Sequence, residues 1–521
     1  MFDRSAIDSI ASIVAYRARV SGDAKAIVFG DRTLTYGALD EHAEKAAAAL
    51  HASGVRKGQR VAYFARSSDD YYKVLFGAAK LGAVFTPINW RLSAAEAVAI
   101  IADSEAPIVF LGAEYAEWLP ALRAGCPNAH EIVMLGAHSA TAIGFEDWLA
   151  RGRGYPANAI GAGDDVFQLY TSGTTGVPKG VVLTNANYVA VLNQSREAGW
   201  ADWSSDDVVL VCMPLFHVGG LNVGLFTLAH GACAVVSQQA DLASIVTNVK
   251  QHGVTITFLA PTLIGDVTGR ADVTAADVAS IKRIYYGASP ISESVLRRAQ
   301  ALFAANFVQL YGLTETSGSV AFLSAAVHRE GGERLRACGQ ANPGVTIRIL
   351  RADGTQAHAG EPGEIVVQGP TVTKGYWRRG ADTAAAIKEG WLHTGDVGVM
   401  DEAGFVYIRD RIKDMIVSGA ENVYPAEVEN VLMKHPAIAE AAVVGVPDER
   451  WGEAVKAVVV LRPQVQADAA DIIAFVRNHI AAYKTPKSVD FVASLPRSAV
   501  GKILRREVRA PFWKDAERQV S

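Results

Sequence analysis

Cysteine is scarce: 521 residues hold four, Cys126, Cys212, Cys233 and Cys338. They lie far apart with no C-x-x-C pair, which argues against a disulfide framework or a thiolate zinc site. Inert buried thiols in a reducing cytoplasm are expected. Excess charge is also missing. The net charge of −4 leaves no basic footprint for nucleic acid, so any site for a polyanion must be local. The opening MFDRSAIDSI lacks the basic-then-apolar layout of a secretory leader. Nor is there an unbroken apolar span. The most apolar stretch, Val208 to Val236, is interrupted by Pro214, His217, Asn222, His230 and several glycines. A membrane span needs roughly 20 mostly apolar residues, so buried strands and turns are expected here. There is no internal repeat and no low-complexity tract.

Half of the residues are apolar and a fifth charged, the balance of a globular protein. The length exceeds one ordinary core, so two or more domains are predicted. AIVFGDRTLTY reads as a hairpin turning at Gly30-Asp31. Leu39, Ala43, Ala46, Ala47 and Leu50 then fall on one face of a helix. RVAYFA (60–65) reads as a buried strand. VVLVCMP (208–214), ITFLAP (256–261), KRIYYGA (282–288) and FVQLYG (307–312) continue the pattern, with helical stretches such as SESVLRRAQALFA (292–304) between some of them. That alternation predicts parallel strands with helices on the sheet faces, and ligands beyond the carboxyl ends of the strands. From about residue 337 the texture becomes Gly-rich and β, in GVTIRIL, GEIVVQG and GFVYIRD. A polar knot, RDRIKD (409–414), follows, and the last hundred residues include a predicted helix over 468–483. The expected fold class is therefore α/β. A large N-terminal domain (1–409) of mixed and parallel sheets, with a small β module, precedes a small α+β C-terminal domain (410–521).

The strongest chemical signal is TSGTTGVPKG, Thr171 to Gly180, directly after the apolar FQLY. Glycines let the backbone approach a ligand closely. Hydroxyls and successive N–H groups donate to phosphate oxygens, Lys179 adds a compact cation, and Pro178 stiffens the turn. The spacing is not that of the P-loop, G-x-x-x-x-G-K-[ST].

With this loop the sequence resembles the adenylate-forming superfamily of acyl- and aryl-CoA synthetases, luciferases and adenylation domains. Further motifs follow in that family's order over nearly the whole chain. The resemblance implies that Thr171, Ser172, Gly173, Thr174, Thr175, Gly176 and Lys179 surround ATP phosphates. It places Gly287, Ala288 and Ser289 beside adenine, and YGLTE supplies Tyr311 for stacking, Gly312, Thr314 for phosphate and Glu315 for Mg²⁺. Hard Mg²⁺ suits a carboxylate with phosphates and waters. In WLHTGD, Asp396 accepts from the ribose hydroxyls, and Arg411, fifteen residues on, donates to the same sugar. His217 in PLFHVGG borders the acid pocket, together with Val218, Gly219, Leu221, Gly287, Leu313 and Gly318. Lys502, in LPRSAVGKILRRE, is the counterpart of the lysine that contacts the acid carboxylate and the α-phosphate. With Lys179, Thr314 and His217 it makes up the expected catalytic set.

The resemblance also implies a second half-reaction, in which the C-terminal domain rotates about Lys413, where the family commonly carries Asp or Lys. The rotation brings Ser418, Gly419 and Ala420 to the thiol tunnel beside His217. Many relatives have two glycines where this chain has Gly419-Ala420, and the added β-carbon narrows that tunnel or restricts its backbone. Three readings follow: an AMP-forming acid–CoA ligase, adenylation with transfer to a carrier-protein thiol or another acceptor, and a non-catalytic nucleotide-binding protein. The expected ligands are ATP, Mg²⁺, coenzyme A and a hydrophobic acid, either hydroxycinnamate-like or a medium- to long-chain fatty acid. A cytoplasmic enzyme with no nucleic-acid partner and no transmembrane segment is expected, and a homodimer is the assembly considered.

Overall fold

The computed structural model describes residues 6–136, 141–171, 178–289, 291–411, 414–418, 421–448, 452–498 and 501–513. The first hairpin forms as read. Lys25–Phe29 pairs antiparallel with Arg32–Thr35, and Gly30 takes the left-handed conformation (φ 56°) that the tight turn needs. Thr35 then caps the helix Tyr36–Ala52 by accepting from the amide of Ala38. The stripe Leu39, Ala43, Ala46, Ala47 and Leu50 is fully buried. Its small residues admit the helix Asp69–Leu81 at close range; a β-carbon on Gly77 would come within 2.5 Å of Ala46 Cβ.

Two large sheets carry the N-terminal domain. In the nine-stranded sheet, Asn306–Leu313, Arg283–Gly287, Ile256–Leu259, Val208–Val211 and Cys233–Val236 run parallel at the centre. The eight-stranded sheet has a parallel centre of Asp165–Thr171, Val84–Pro87, Arg60–Phe64, Ile108–Gly112 and Glu131–Leu135. Residues of both sheets, among them Tyr63, Phe85, Val209 and Ile256, share one apolar core. Connecting helices such as Val218–His230 and Glu293–Leu302 complete the α/β layers predicted from the alternating pattern.

The Gly-rich region forms a separate five-stranded sheet, in which Trp391–Met400 pairs with Gly363–Gln368 on one side and Val406–Arg411 on the other. The C-terminal domain has its own five-stranded sheet, beginning with Ile416–Ser418, and its own core around Ile416, Val428, Leu432, Val443 and Val455. The helix predicted over 468–483 is shorter, Ala469–Arg477. It ends at Asn478, whose amide bonds back to Ala474 and Phe475, and Lys484 is drawn onto Glu427 beyond a short turn.

The four cysteines are free thiols; Cys126, Cys212 and Cys338 are buried and Cys233 half-buried. Burial pushes each thiol above its ordinary range. Among the described residues no helix is long and apolar enough to cross a membrane.

Candidate active site

A cavity of about 1550 Å³ opens at the carboxyl ends of the nine-stranded sheet and reaches across to the C-terminal domain. Sites for single small ligands are about 300–1,000 Å³, so this one has room for two ligands side by side. Lys179, His217, Glu315 and Lys502 all lie on its wall.

The phosphate-loop motif begins and ends on a strand pair. Asp165–Thr171 and Lys179–Thr184 are antiparallel, with Thr171 directly opposite Lys179. Both residues line the cavity, as does Pro178. Ser172, Gly173, Thr174, Thr175 and Gly176 lie outside the described residues. Lys179 Nζ makes an ion pair with Asp382 at 2.5 Å and lies 5.3 Å from the Tyr376 ring centroid.

Of the GAS stretch, Ala288 reaches the cavity and holds a left-handed backbone (φ 67°), a conformation costly for a residue with a β-carbon. Ser289 is half-buried beside it. Gly287 is not on the wall. It is register-paired with Leu310 on the neighbouring strand, where a β-carbon would come within 2.3 Å of the Leu310 carbonyl oxygen. This glycine serves strand packing, not substrate space.

Gly312, Leu313, Thr314 and Glu315 line the cavity where Asn306–Leu313 runs into a single 3₁₀ turn. Glu315 Oε1 accepts from the Tyr376 hydroxyl at 3.0 Å. One carboxylate facing open space fits an Mg²⁺ ion that keeps its remaining positions for phosphate and water. Among the described residues no group of three or more His, Cys, Asp or Glu side chains forms a closed metal cage. Tyr311, expected to stack on a base, is 8% exposed and packs with Val345 and Ile347. Its hydroxyl donates to Asp396 Oδ2 at 2.8 Å. In this arrangement the ring is part of the core, because its polar end is satisfied by the buried carboxylate.

Asp396 and Arg411, fifteen residues apart in the chain, are direct cross-strand partners. The turn before Asp396 is built locally. Gly395 is left-handed (φ 70°), its amide donates to Glu364, and the Thr394 hydroxyl accepts from the Asp396 amide. Asp396 is 5% exposed and sits behind the cavity wall formed by His393, Thr394 and Gly395.

His217 precedes the helix Val218–His230. Its Nε2 is buried and has no hydrogen-bond partner. Burial first, and the charge of Arg91 second, depress its pKa to about 4, so the ring is neutral at neutral pH. Val218, Gly219, Leu313 and Gly318 join it on the wall. A β-carbon on Gly219 would meet nothing within 4 Å, so this glycine opens real volume. Leu221, by contrast, is fully buried in the main core and does not face the cavity, because it sits on the opposite side of the helix.

Lys502 comes from the C-terminal domain. It follows Gly501 (φ 78°) in a tight turn closed by Ser498 N–H to Lys502 C=O at 2.7 Å. Arg497 braces this turn, donating to the Gly501 carbonyl at 2.6 Å and pairing with Glu440 at 2.9 Å. A β-carbon on Gly501 would lie 2.9 Å from Thr262 Oγ1 of the N-terminal domain, so the two domains touch at this glycine. Ser418 is 8% exposed, within its strand, and away from the cavity. Lys413, Gly419 and Ala420 lie outside the described residues. Sequence reasoning missed Tyr376 and Asp382; their nearness to Glu315 and Lys179 arises only from the pairing of Gly375–Tyr376 with the strand Lys179–Thr184.

The chain is similar to known proteins over nearly its whole length. The sequence profile described as AMP-binding enzyme matches residues 14–377, and that of the AMP-binding enzyme C-terminal domain matches residues 427–502. The chain is 38% identical over 519 residues to a fatty acid–[acyl-carrier-protein] ligase, ScoC, of Streptomyces coeruleorubidus, covering 99% of this chain and 98% of that one. It is 38% identical over 501 residues to a feruloyl-CoA synthase of an Amycolatopsis species, covering 95% and 97%. Among solved structures, ATP-bound MatB from Rhodopseudomonas palustris superposes with a TM-score of 0.88 at 28% identity, over 98% of this chain and all of that one. The anthranilate CoA ligase AuaEII in complex with anthranoyl-AMP gives 0.90 at 25% identity, over 98% and 99%.

Proposed function

Because the chain belongs to the AMP-binding enzyme family, among the AMP-forming acyl- and aryl-CoA ligases, we propose that it activates a hydrophobic carboxylic acid as its acyl-adenylate and passes the acyl group to coenzyme A. One observation carries this reading: Lys179 from the eight-stranded sheet and Lys502 from the C-terminal domain line the same cavity as Glu315 and His217.

The chemistry calls for that convergence. A carboxylate must reach the α-phosphorus of a polyanion, and two like charges 4 Å apart repel by about 4 kcal/mol at an effective dielectric of 20. Lys179 on the outer phosphates and Lys502 between acid and α-phosphate offset this repulsion and stabilise the charge on the transferring group. Mg²⁺, held by Glu315, neutralises phosphate charge when bound. Thr171, with the loop Ser172, Gly173, Thr174, Thr175 and Gly176, and Thr314 donate to phosphate oxygens. Ala288, Ser289 and Gly312 border the base, and Gly287 supports them by packing against the neighbouring strand. Asp396 holds the ribose with Arg411, and Tyr311 contributes by orienting Asp396 through its hydroxyl. His217, neutral and without a partner on Nε2, borders the acyl carbon without adding a competing cation. The domain boundary at Asp410-Arg411, with Lys413 as hinge and Ser418, Gly419 and Ala420 delivered to the thiol, belongs to the same proposal.

Transfer to a carrier-protein thiol is the second reading. Similarity to the acyl-carrier-protein ligase over 99% of the chain and the β-carbon of Ala420 favour it. A screen for pyrophosphate and AMP release over aryl and fatty acids, with ATP and Mg²⁺, tests adenylation; no AMP from any acid would refute it. Offering free coenzyme A and a phosphopantetheinylated carrier protein in parallel then identifies the acceptor.

A further inference from the structure

On the wall of the cavity, Val218, Asn222 and Phe226 recur at four-residue intervals along one face of the helix Val218–His230. From His217 to Phe226 is nine residues, about 13.5 Å at the helical rise of roughly 1.5 Å per residue. The next residue on that face, His230, is 6% exposed and no longer on the wall. The channel therefore ends between those two turns.

Four rings close it. Trp203 lies 6.0 Å from Phe226 and 5.6 Å from Tyr285, centroid to centroid, and Trp200 lies 5.8 Å and 5.9 Å from the same two rings. All four are on the wall and none is more than 8% exposed. Their polar atoms are satisfied within the protein. Trp203 Nε1 donates to the Tyr285 hydroxyl at 2.6 Å, that hydroxyl donates to the Trp200 carbonyl, and Trp200 Nε1 donates to Asn342 at 3.0 Å. Behind them Arg283 donates to the Asp202 carbonyl at 3.0 Å, fixing the segment that carries both tryptophans. The four rings at this end are tied together and offer a ligand neither charge nor a free hydrogen-bonding group.

We propose that Trp203, fixed by Tyr285, is the end-stop of the acid channel, and that the enzyme selects acids whose apolar tail is of medium length over long-chain fatty acids. The proposal rests on the acid-activating reading above. Trp203 determines specificity by meeting the substrate tail; Tyr285 positions Trp203. A tail that overruns the stop has no polar partner to seek and no volume to enter, because a close-packed aromatic wall does not yield cheaply.

The test is kcat/KM for pyrophosphate release with hexanoate, decanoate, cinnamate and hexadecanoate. The intact enzyme is expected to prefer decanoate to hexadecanoate by about 100-fold or more, since a single misfit methylene already changes kcat/KM by about 10–200-fold. Trp203→Ala is expected to raise the hexadecanoate-to-hexanoate ratio by about tenfold or more. Tyr285→Phe, which removes the acceptor of the Trp203 indole, should move the ratio the same way by less. If thermal melting shows that Trp203→Ala does not fold, Trp203→Phe replaces it with the same expected direction. A flat length dependence in the intact enzyme, or a folded variant that lowers all acids by one factor, overturns the end-stop while adenylation stands. No pyrophosphate from any acid overturns the activity itself.

Discussion

Lys179 and Asp382 are ion-paired across the cavity wall, Nζ to Oδ1 at 2.5 Å, although they stand on different elements, a sheet strand and the helix Gly380–Ala386. In the proposed function the lysine must release this carboxylate to meet a phosphate. Asp382 is 36% exposed at its side chain, so the pair is worth about 1 kcal/mol or less. Asp382→Asn is therefore expected to lower KM for ATP by up to about fivefold with little change in melting temperature. A rise in KM would mean that Asp382 assists nucleotide binding.

The proposed function requires Lys502 only while the adenylate forms. Lys502→Ala should slow adenylation by about 10²–10³-fold, the usual effect of removing one transition-state donor. The same variant, given preformed acyl-adenylate and coenzyme A, should make thioester at near the normal rate. Equal loss in both half-reactions would contradict the assignment.

The Tyr376 hydroxyl sets the orientation of the Glu315 carboxylate. With Glu315 as the Mg²⁺ ligand proposed above, removing the hydroxyl in Tyr376→Phe should raise the Mg²⁺ concentration for half-maximal adenylation by several-fold, as loss of a partner behind a metal ligand does (about 10–100-fold in affinity where the ligand is fully enclosed). Titrating Mg²⁺ at saturating ATP checks this. An unchanged midpoint would show that Glu315 needs no such support.

His217 and His230 both have pKa values depressed to about 4, chiefly by burial. The unfolded chain, with histidine near 6.5, takes up these protons first, so stability falls as pH drops from about 6.5 to 4 and is indifferent to these groups above that window. Each group contributes up to about 1.4 kcal/mol per pH unit there. His217→Gln should flatten the pH dependence of the urea midpoint within this window by one group's share and leave that of His230. An unaltered slope would show that His217 titrates normally in the folded enzyme.

Much of the site was legible because its signals are local. Strand-ending motifs, the hairpin at Gly30 and the buried stripe of the helix Tyr36–Ala52 depend on residues close in sequence, where period and turn chemistry suffice. Asp396 and Arg411 were suggested by spacing and family order, and they prove to share one rung of a ladder. Glycines were harder. Gly219, Gly287 and Gly312 look alike in sequence, yet only Gly219 leaves open volume. A β-carbon on Gly287 would strike Leu310, and one on Gly312 would come 1.8 Å from the Gly318 carbonyl oxygen. Which neighbour a glycine faces is decided by another strand, so the chain alone does not reveal it. Tyr376, Asp382 and the aromatic end-stop were invisible for the same reason: each acts on a partner brought near only by sheet pairing or helix packing.

The ladder between Trp391–Met400 and Val406–Arg411 has one more effect. Asp410, beside the rung that joins Asp396 to Arg411, grips the first turn of the following helix through the Ala426 amide at 2.8 Å and holds Arg505, three residues beyond Lys502, at 3.2 Å. The root of the small lobe is thus anchored one residue from the ladder position opposite Asp396. Anything that loads or unloads that carboxylate pulls where the leverage on the lobe is shortest and the play is least.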